Sequence, residues 1–195
     1  MELPGGVMPE IKIRPATSAD MSDLTEIDHN YTSDFVWQME IQAEEGQIGV
    51  NFRQIRLPRS VRVEYPRSPR SLPDDWTKRS GILVALLAEQ IVGYISIMDN
   101  IAPATAWTTD IAVVRRYRRQ GIGSALVLAA QEWAVQNKLF RLVLEMQPKN
   151  YPAICMAQKL GYDFCGFHDR YFANHDIGLF FAKSLPWERP PTMEM

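Results

Sequence analysis

The sequence predicts a single mixed α/β domain, with helices laid on a largely antiparallel sheet. Three observations lead there. The chain has 195 residues, the size of one domain that can bury its own core without staples. Short apolar runs bounded by turn residues alternate with longer stretches of helical period. No internal repeat appears, and the elements fall in the order β-α-β-β-β-β-β-α-β-α-β-β.

Ile11 and Ile13, followed by Arg14-Pro15, form a short first strand. Ser18 can cap a helix running to about His29, with Met21, Leu24 and Ile27 on one face and Asp20 near its positive end. Phe35 to Gln42 reads as extended, and Asn51 to Leu57 can pair with it across a turn between Gly46 and Gly49. Leu57 to Ser80, rich in Pro and Arg, is a surface loop with short regular pieces, placed where it can lie over a site. Ile82–Ala88 and Ile91–Met98 make a hairpin around Glu89-Gln90, and Ala106–Val113 is a further strand. Gly121–Asn137 is a helix on the spacing of Ile122, Ala125, Leu126, Ala129 and Trp133. Arg141–Met146 is a strand, Ala153–Leu160 a helix stopped by Gly161, and Tyr162–His168 and Ile177–Ser184 the closing strands. The domain spans 11–185; 1–10 and 187–195 are expected to be loose.

Composition narrows the function classes. A net charge of -2 gives no basic field for nucleic acid. No apolar run approaches the ~20 residues of a membrane helix. Met1 to Glu10 lacks the basic and apolar regions of a signal peptide, so a cytoplasmic location is expected. Cys155 and Cys165 have neither disulfide nor zinc spacing and are expected to be buried structural thiols; no metal site is expected. His29, His168 and His175 form no motif and read as surface or loop residues. Charge is segregated: between Arg14 and Arg53 there is no Lys or Arg, while Asp20, Asp23, Glu26, Asp28, Asp34, Glu40, Glu44 and Glu45 fall in that interval. The next stretch is basic, from Arg53 to Arg79. Either the two stretches attract each other, or the acidic one faces a cationic substrate.

The site-bearing stretch is Asp110-Ile-Ala-Val-Val-Arg-Arg-Tyr-Arg-Arg-Gln-Gly-Ile-Gly-Ser124. A strand ends at Val113, a basic turn follows, and two glycines open a long helix. Gly121 and Gly123 let a ligand approach the backbone. The helix start offers unpaired N–H groups and partial positive charge, and Arg118 and Arg119 add cations, an arrangement suited to a diphosphate. The Lys-Ser/Thr of a P-loop and the third glycine of a dinucleotide fingerprint are both missing.

Arg118-Arg-Gln-Gly-Ile-Gly123 resembles the Q/R-x-x-G-x-G/A signature of the GNAT acetyltransferase superfamily, and Asn150-Tyr-Pro-Ala-Ile-Cys-Met-Ala-Gln-Lys-Leu-Gly-Tyr162 resembles its second block. Two branches look similar: the streptothricin (nourseothricin) acetyltransferases, through Tyr31-Thr-Ser-Asp-Phe-Val36, Asp110-Ile-Ala-Val113 and Cys165-Gly-Phe167, and the ribosomal-protein alanine N-acetyltransferases, through Leu144-Glu145 and Arg170-Tyr171-Phe172. The resemblance implies the GNAT fold, with splayed central strands binding acetyl-coenzyme A. It implies that Arg118, Arg119, Gln120, Gly121, Ile122, Gly123 and Ser124 hold the diphosphate, that Asn150 and Ala153 lie along the pantetheine arm, and that Ile111 and Val113 pair with it. Val113 N–H is the implied donor to the thioester carbonyl and Glu145 the implied base, acting through water. Asp110 is the second candidate base, or a structural or substrate contact; Asp34 and Glu40 are candidates to grip a substrate cation, and Tyr171 and Phe172 to contact the acceptor. The family's proton-donating tyrosine is replaced by Ala157, which would leave room for a larger acyl group or water; Tyr171 is an alternative donor. The expected activity is N-acetylation of a primary amine on a small cationic compound, streptothricin- or aminoglycoside-like. The alternatives are a protein N-terminal or lysine acetyltransferase and a non-catalytic coenzyme A sensor. Monomer and homodimer both remain open.

Overall fold

The structure, a computed structural model, describes residues 10–186. The termini expected to be loose lie, apart from Glu10, outside the described residues. Its strands are β1 (Ile11–Pro15), β2 (Tyr31–Glu44), β3 (Gln47–Val63), β4 (Gly81–Leu87), β5 (Gln90–Ala102), β6 (Thr105–Val113), β7 (Arg141–Met146), β8 (Asp163–His168) and β9 (Gly178–Ser184). The helices are α1 (Met21–Thr25), α2 (Leu72–Asp75), α3 (Ile122–Gln136) and α4 (Tyr151–Lys159). Seven strands form one sheet in the order β1-β4-β5-β6-β7-β9-β8, while β2 and β3 pair as a separate antiparallel ribbon. Only β6 and β7 run parallel, and α3 lies in the connection between them.

Both faces of the sheet are covered. On one, α3 and α4 pack over Leu83, Ala85, Val92, Ile95 and Leu142; on the other, α1 and α2 cover Ile82, Val84, Leu86 and Tyr94. Residues 82–86 therefore alternate between two cores, which explains an unbroken apolar run in β4.

β2 begins at Tyr31 rather than Phe35 and β5 runs to Ala102 rather than Met98, and two elements depart further from the sequence reading. The first helix stops at Thr25 rather than near His29, because residues 28–30 are drawn across the open end of β6: Arg118 donates to the carbonyls of Asp28 and Asn30. Its start also shifts: Thr17 rather than Ser18 is the cap, a 3-10 turn over Ser18–Asp20 leads into α1, and Asp20 completes a capping box with Thr17 and a two-pronged ion pair with Arg14 (2.7 and 2.9 Å). The second departure is β3, which continues to Val63 through Pro58. In the register, Ser33 faces Val61 and Phe35 faces Arg56, so Pro58 falls in an irregularity where no ladder donor is needed. The acidic and basic stretches become the two arms of this ribbon and its approach, with Arg62 and Asp28 3.4 Å apart. Within the ribbon, Glu40 stands opposite Asn51 and Glu44 opposite Gln47, so none of its registered pairs sets an acidic residue against an arginine.

The feature that makes a site is the fork between β6 and β7. They pair only over Thr105–Thr108 and Arg141–Leu144, although β6 runs on to Val113 and β7 to Met146. Opposite β5, Ser96 pairs with Asp110 but Ile97 with Thr108, so Thr109 is an extra residue in β6. Such a bulge bends and twists its strand, and here the divergence begins beside it.

Candidate active site

A cleft of about 370 Å³ runs from the fork to the start of α3, lined among others by Ile111, Val113, Gly121, Ser124 and Ala153. Val114 N–H is donated to Val92 on β5 (2.8 Å), so alternation turns the backbone groups of Val113 and Ile111 to the open side. At the other end, Arg119 (φ +64°) and Gly121 (φ +87°) both take left-handed conformations, and no atom lies within 4 Å of where a Gly121 Cβ would be. The first intrahelical bond at this end runs from Ala125 N–H to Gly121 O (2.9 Å), which leaves the N–H groups of Ile122, Gly123 and Ser124 ahead of it. Gly123 faces α4 closely: a Cβ there would come within 3.2 Å of Met156 Sδ. Ile122 sends its side chain into the core, and Gln120 donates to Arg116 O (3.1 Å). Asn150 caps α4, accepting from Ala153 N–H (3.3 Å).

Arg118 departs from expectation. Its guanidinium donates to the carbonyls of Val113 (2.8 Å), Asn30 (2.6 Å) and Asp28. It lines the cleft but spends its side-chain donors on the chain itself, where the sequence suggested a free cation for a diphosphate. Arg119 remains exposed beside the helix start.

At the fork lies a second, tighter cavity, bordered by Tyr65, Arg67, Thr108, Asp110, Glu145 and Phe172. Glu145 is its hub. Its carboxylate accepts from Arg67, from Trp107 Nε1 and from the Tyr171 hydroxyl (2.7 Å). The side chain is wholly buried. Burial pushes the Glu145 pKa above its usual value, opposed by Arg67, Tyr171 and Trp107. Asp110, also buried, accepts from Tyr65 OH and Thr109 (3.0 Å) and lies 3.3 Å from Arg79 and 3.9 Å from Arg67. Arg67 thus sits between two buried carboxylates, over the Phe172 ring (5.0 Å to its centroid). Thr108 Oγ1 is buried without a hydrogen-bond partner and lines this cavity.

Tyr171 depends on a glycine for its position. A Cβ at Gly178 would lie 2.6–3.0 Å from the Tyr171 ring and Cβ. Gly178→Ala is expected to push Tyr171 off Glu145, at a cost of about 1–3 kcal/mol typical of overpacking. Thermal melting together with the rate of turnover would register it; an unchanged melting temperature would show that the ring has room to yield.

Several sequence candidates are not brought into the site. Asp34 accepts from Ser60 on the ribbon, and Glu40 stands opposite Asn51 further along it; neither borders the cleft or the cavity, because the ribbon carries them outward. Ala157 is fully buried in the core and lines neither space, so its small side chain opens no room for an acyl group. Cys165 is exposed and Cys155 half-buried on the cleft wall, against the expectation of two buried thiols.

Others were missed. His29, taken for a surface residue, is buried, with Nε2 at 2.8 Å from Tyr94 OH and Nδ1 at 2.5 Å from Ile27 O. Burial lowers its pKa. Tyr65 and Arg67 lie in the Pro/Arg-rich stretch, where no periodicity marks which residues turn inward. The one signal was compositional: an arginine-rich loop expected to lie over a site.

The Acetyltransferase (GNAT) family model matches residues 50–162. Over 67 residues the chain is 40% identical to streptothricin acetyltransferase A of Bacillus subtilis (strain 168), a match spanning 34% of this chain and only 38% of that enzyme. Among solved structures, a nourseothricin acetyltransferase superposes with a TM-score of 0.75 at 21% identity, covering 90% of this chain and 99% of its own. A candidate streptothricin acetyltransferase of Bacillus anthracis str. Ames, solved with acetyl coenzyme A, gives 0.70 at 22% identity over 90% of this chain and 100% of its own. At these identities the two structures speak for the fold.

Proposed function

The chain belongs to the acetyltransferase (GNAT) family, and from that premise we propose that it is an N-acetyltransferase. It carries an acetyl group from acetyl-coenzyme A to a primary amine of a small cationic compound of the streptothricin or aminoglycoside type. The observation that supports this most is the joining, at one fork, of a cleft ending on a free helix N-terminus and a buried cavity holding two carboxylates.

The cleft fits the donor. The N–H groups of Gly123 and Ser124, the open backbone at Gly121 and the exposed Arg119 suit a diphosphate. The outward-turned backbone of Ile111 and Val113 suits the amide-bearing arm, with Val113 N–H directed at the thioester carbonyl. Asn150 and Ala153 form the opposite wall. Bound there, the thioester supplies an activated acyl group; the chain's task is to orient it, exclude water and handle protons.

The cavity favours a cation. Arg67 already occupies the space between Asp110 and Glu145, and an ammonium entering beside it meets the same two carboxylates and the unpartnered Thr108 hydroxyl. Glu145 is the proposed base: burial raises its basicity, while Trp107 and Tyr171 hold its orientation. Phe172 forms the acceptor-side wall, with Tyr171 behind Glu145. The names of the similar proteins, streptothricin and nourseothricin acetyltransferases, support the acceptor class.

The test is thiol release from acetyl-coenzyme A with streptothricin, an aminoglycoside set and a panel of peptide N-termini and lysines. Rapid release with the small polycations and little with peptides is the expected result. Preference for peptides would move the assignment to protein acetylation. Tight coenzyme A binding in calorimetry without turnover on any amine would make the chain a sensor.

A further inference from the structure

Amide formation leaves a thiolate that must gain a proton, and the position where the family's proton-donating tyrosine was expected carries Ala157, buried in the core. Resting on the proposed acetyl transfer, we propose that Tyr65, from the linker between β3 and α2, is the catalytic residue that protonates the departing thiolate.

The argument is one of place. The acyl group to be transferred must sit where the donor cleft meets the acceptor cavity. Five residues line both spaces: Tyr65, Ile111, Asn150, Ala153 and Met156. Of these, Tyr65 alone carries an O–H. The amide oxygen of Asn150 is taken up in capping α4. Other proton-bearing groups on the cleft are worse placed. Tyr31, His29, Tyr117 and Cys155 line the cleft but not the cavity. Ser124 stands at the α3 end, away from the fork. Tyr171 borders neither the cleft nor the cavity.

Tyr65 is also held for the task. Its N–H donates to Asn30 Oδ1 (2.8 Å), its ring packs 5.0 Å from that of His29, and its hydroxyl donates to Asp110, a bond the O–H must turn from to reach the sulfur. Burial, reinforced by the Asp110 charge, pushes its pKa well above the usual value of 10.0, so the proton is present at any working pH. Arg67 and Arg79, flanking Asp110, offset negative charge appearing at the phenol oxygen.

The proton balance closes. The acceptor ammonium first loses one proton to solvent. As the amine nitrogen bonds to the acyl carbon, its second proton passes to Glu145; the C–S bond breaks, and the sulfur takes the Tyr65 proton. Tyr65 regains a proton from solvent as the thiol leaves, and Glu145 returns its own. Two protons are released and one is taken up, matching the net loss of one per turnover.

The experiment compares coenzyme A bound to the wild-type protein and to Tyr65→Phe, following the thiolate by its ultraviolet absorbance across pH. A donor facing the sulfur stabilises its charged form, so the bound-thiol pKa is expected to rise by about one unit in Tyr65→Phe. Turnover should fall about 10²-fold, with the KM for acetyl-coenzyme A changed far less. An unchanged bound-thiol pKa overturns the assignment whatever happens to turnover, as does a shift seen in Tyr31→Phe instead. If Tyr65→Phe does not fold, 3-fluorotyrosine at this position keeps the ring and hydroxyl. Its more acidic phenol should lower the bound-thiol pKa, and no change there is equally fatal. The titration needs no acceptor, so a wrong choice of amine does not alter its outcome.

Discussion

Replacing Glu145 by Gln is expected to lower kcat by roughly 10²–10⁴-fold, the usual contribution of a positioned general base. Gln keeps the shape and still accepts hydrogen bonds, so Trp107 and Tyr171 retain a partner. It loses basicity and its charge opposite Arg67, which keeps Thr109 O (2.8 Å) and the more distant Asp110. The stability cost is therefore set at about 1–3 kcal/mol, the range for losing a charged hydrogen-bond partner, and the variant should stay folded at 25 °C. The pH dependence has a definite sign. The active form is the carboxylate, and burial raises its pKa above 4.5, so the acid limb of kcat in the wild type lies above the ordinary Glu range. Arg67 works against that rise; Arg67→Gln should move the limb to still higher pH. Full turnover in a folded Glu145→Gln would remove Glu145 as base and leave Asp110, the other buried carboxylate of the cavity.

Arg118→Ala is expected to weaken coenzyme A binding and the fold together. Its guanidinium joins the end of β6, at Val113, to the carbonyls on either side of His29. Deleting it strands three acceptors, at a cost of about 2–4 kcal/mol after allowance for water reaching a half-exposed site. For a chain of this size that corresponds to a melting temperature lower by roughly 5–15 °C. The cleft wall built by His29 and Tyr31 then loosens, and coenzyme A affinity should drop about tenfold or more, since misplacing a preorganised wall costs at least 1.4 kcal/mol. Arg118→Lys should recover little, because one ammonium cannot span three carbonyls in a fixed plane. A direct diphosphate contact would behave differently: affinity would fall with melting unchanged, and the loss would shrink at high salt. Calorimetry and melting at two ionic strengths separate these outcomes.

Much of this molecule is legible along its chain. β7 and β9 fall where the apolar runs put them, within one residue. The start of α3 at Gly121 and Gly123 is a local matter: a strand end, a basic turn and glycines before an apolar helical period dictate a backbone with free N–H groups. The hairpin of β4 and β5 follows from two apolar runs around a short turn. These signals lie within a dozen residues of one another, where short-range sterics and periodicity decide the outcome.

The rest was settled across the chain. Arg118 looked like a ligand cation because the sequence shows its charge but not the carbonyls of residues 28 and 30, which approach only when the fold closes. Glu145 was implied as a base by resemblance, but its burial depends on Arg67, Trp107 and Tyr171, from three distant segments. Asp34 and Glu40 carried the right charge for a cationic substrate, yet the ribbon register turns them away. Ala157 announced a missing hydroxyl, and only the meeting of cleft and cavity points to Tyr65. By itself the sequence determined the order of the strands and of α1, α3 and α4, and the glycine-opened start of α3, because those rest on spacing along the chain. The tertiary structure decided which charges face each other and which are buried, because desolvation and pairing act between residues that only folding brings together.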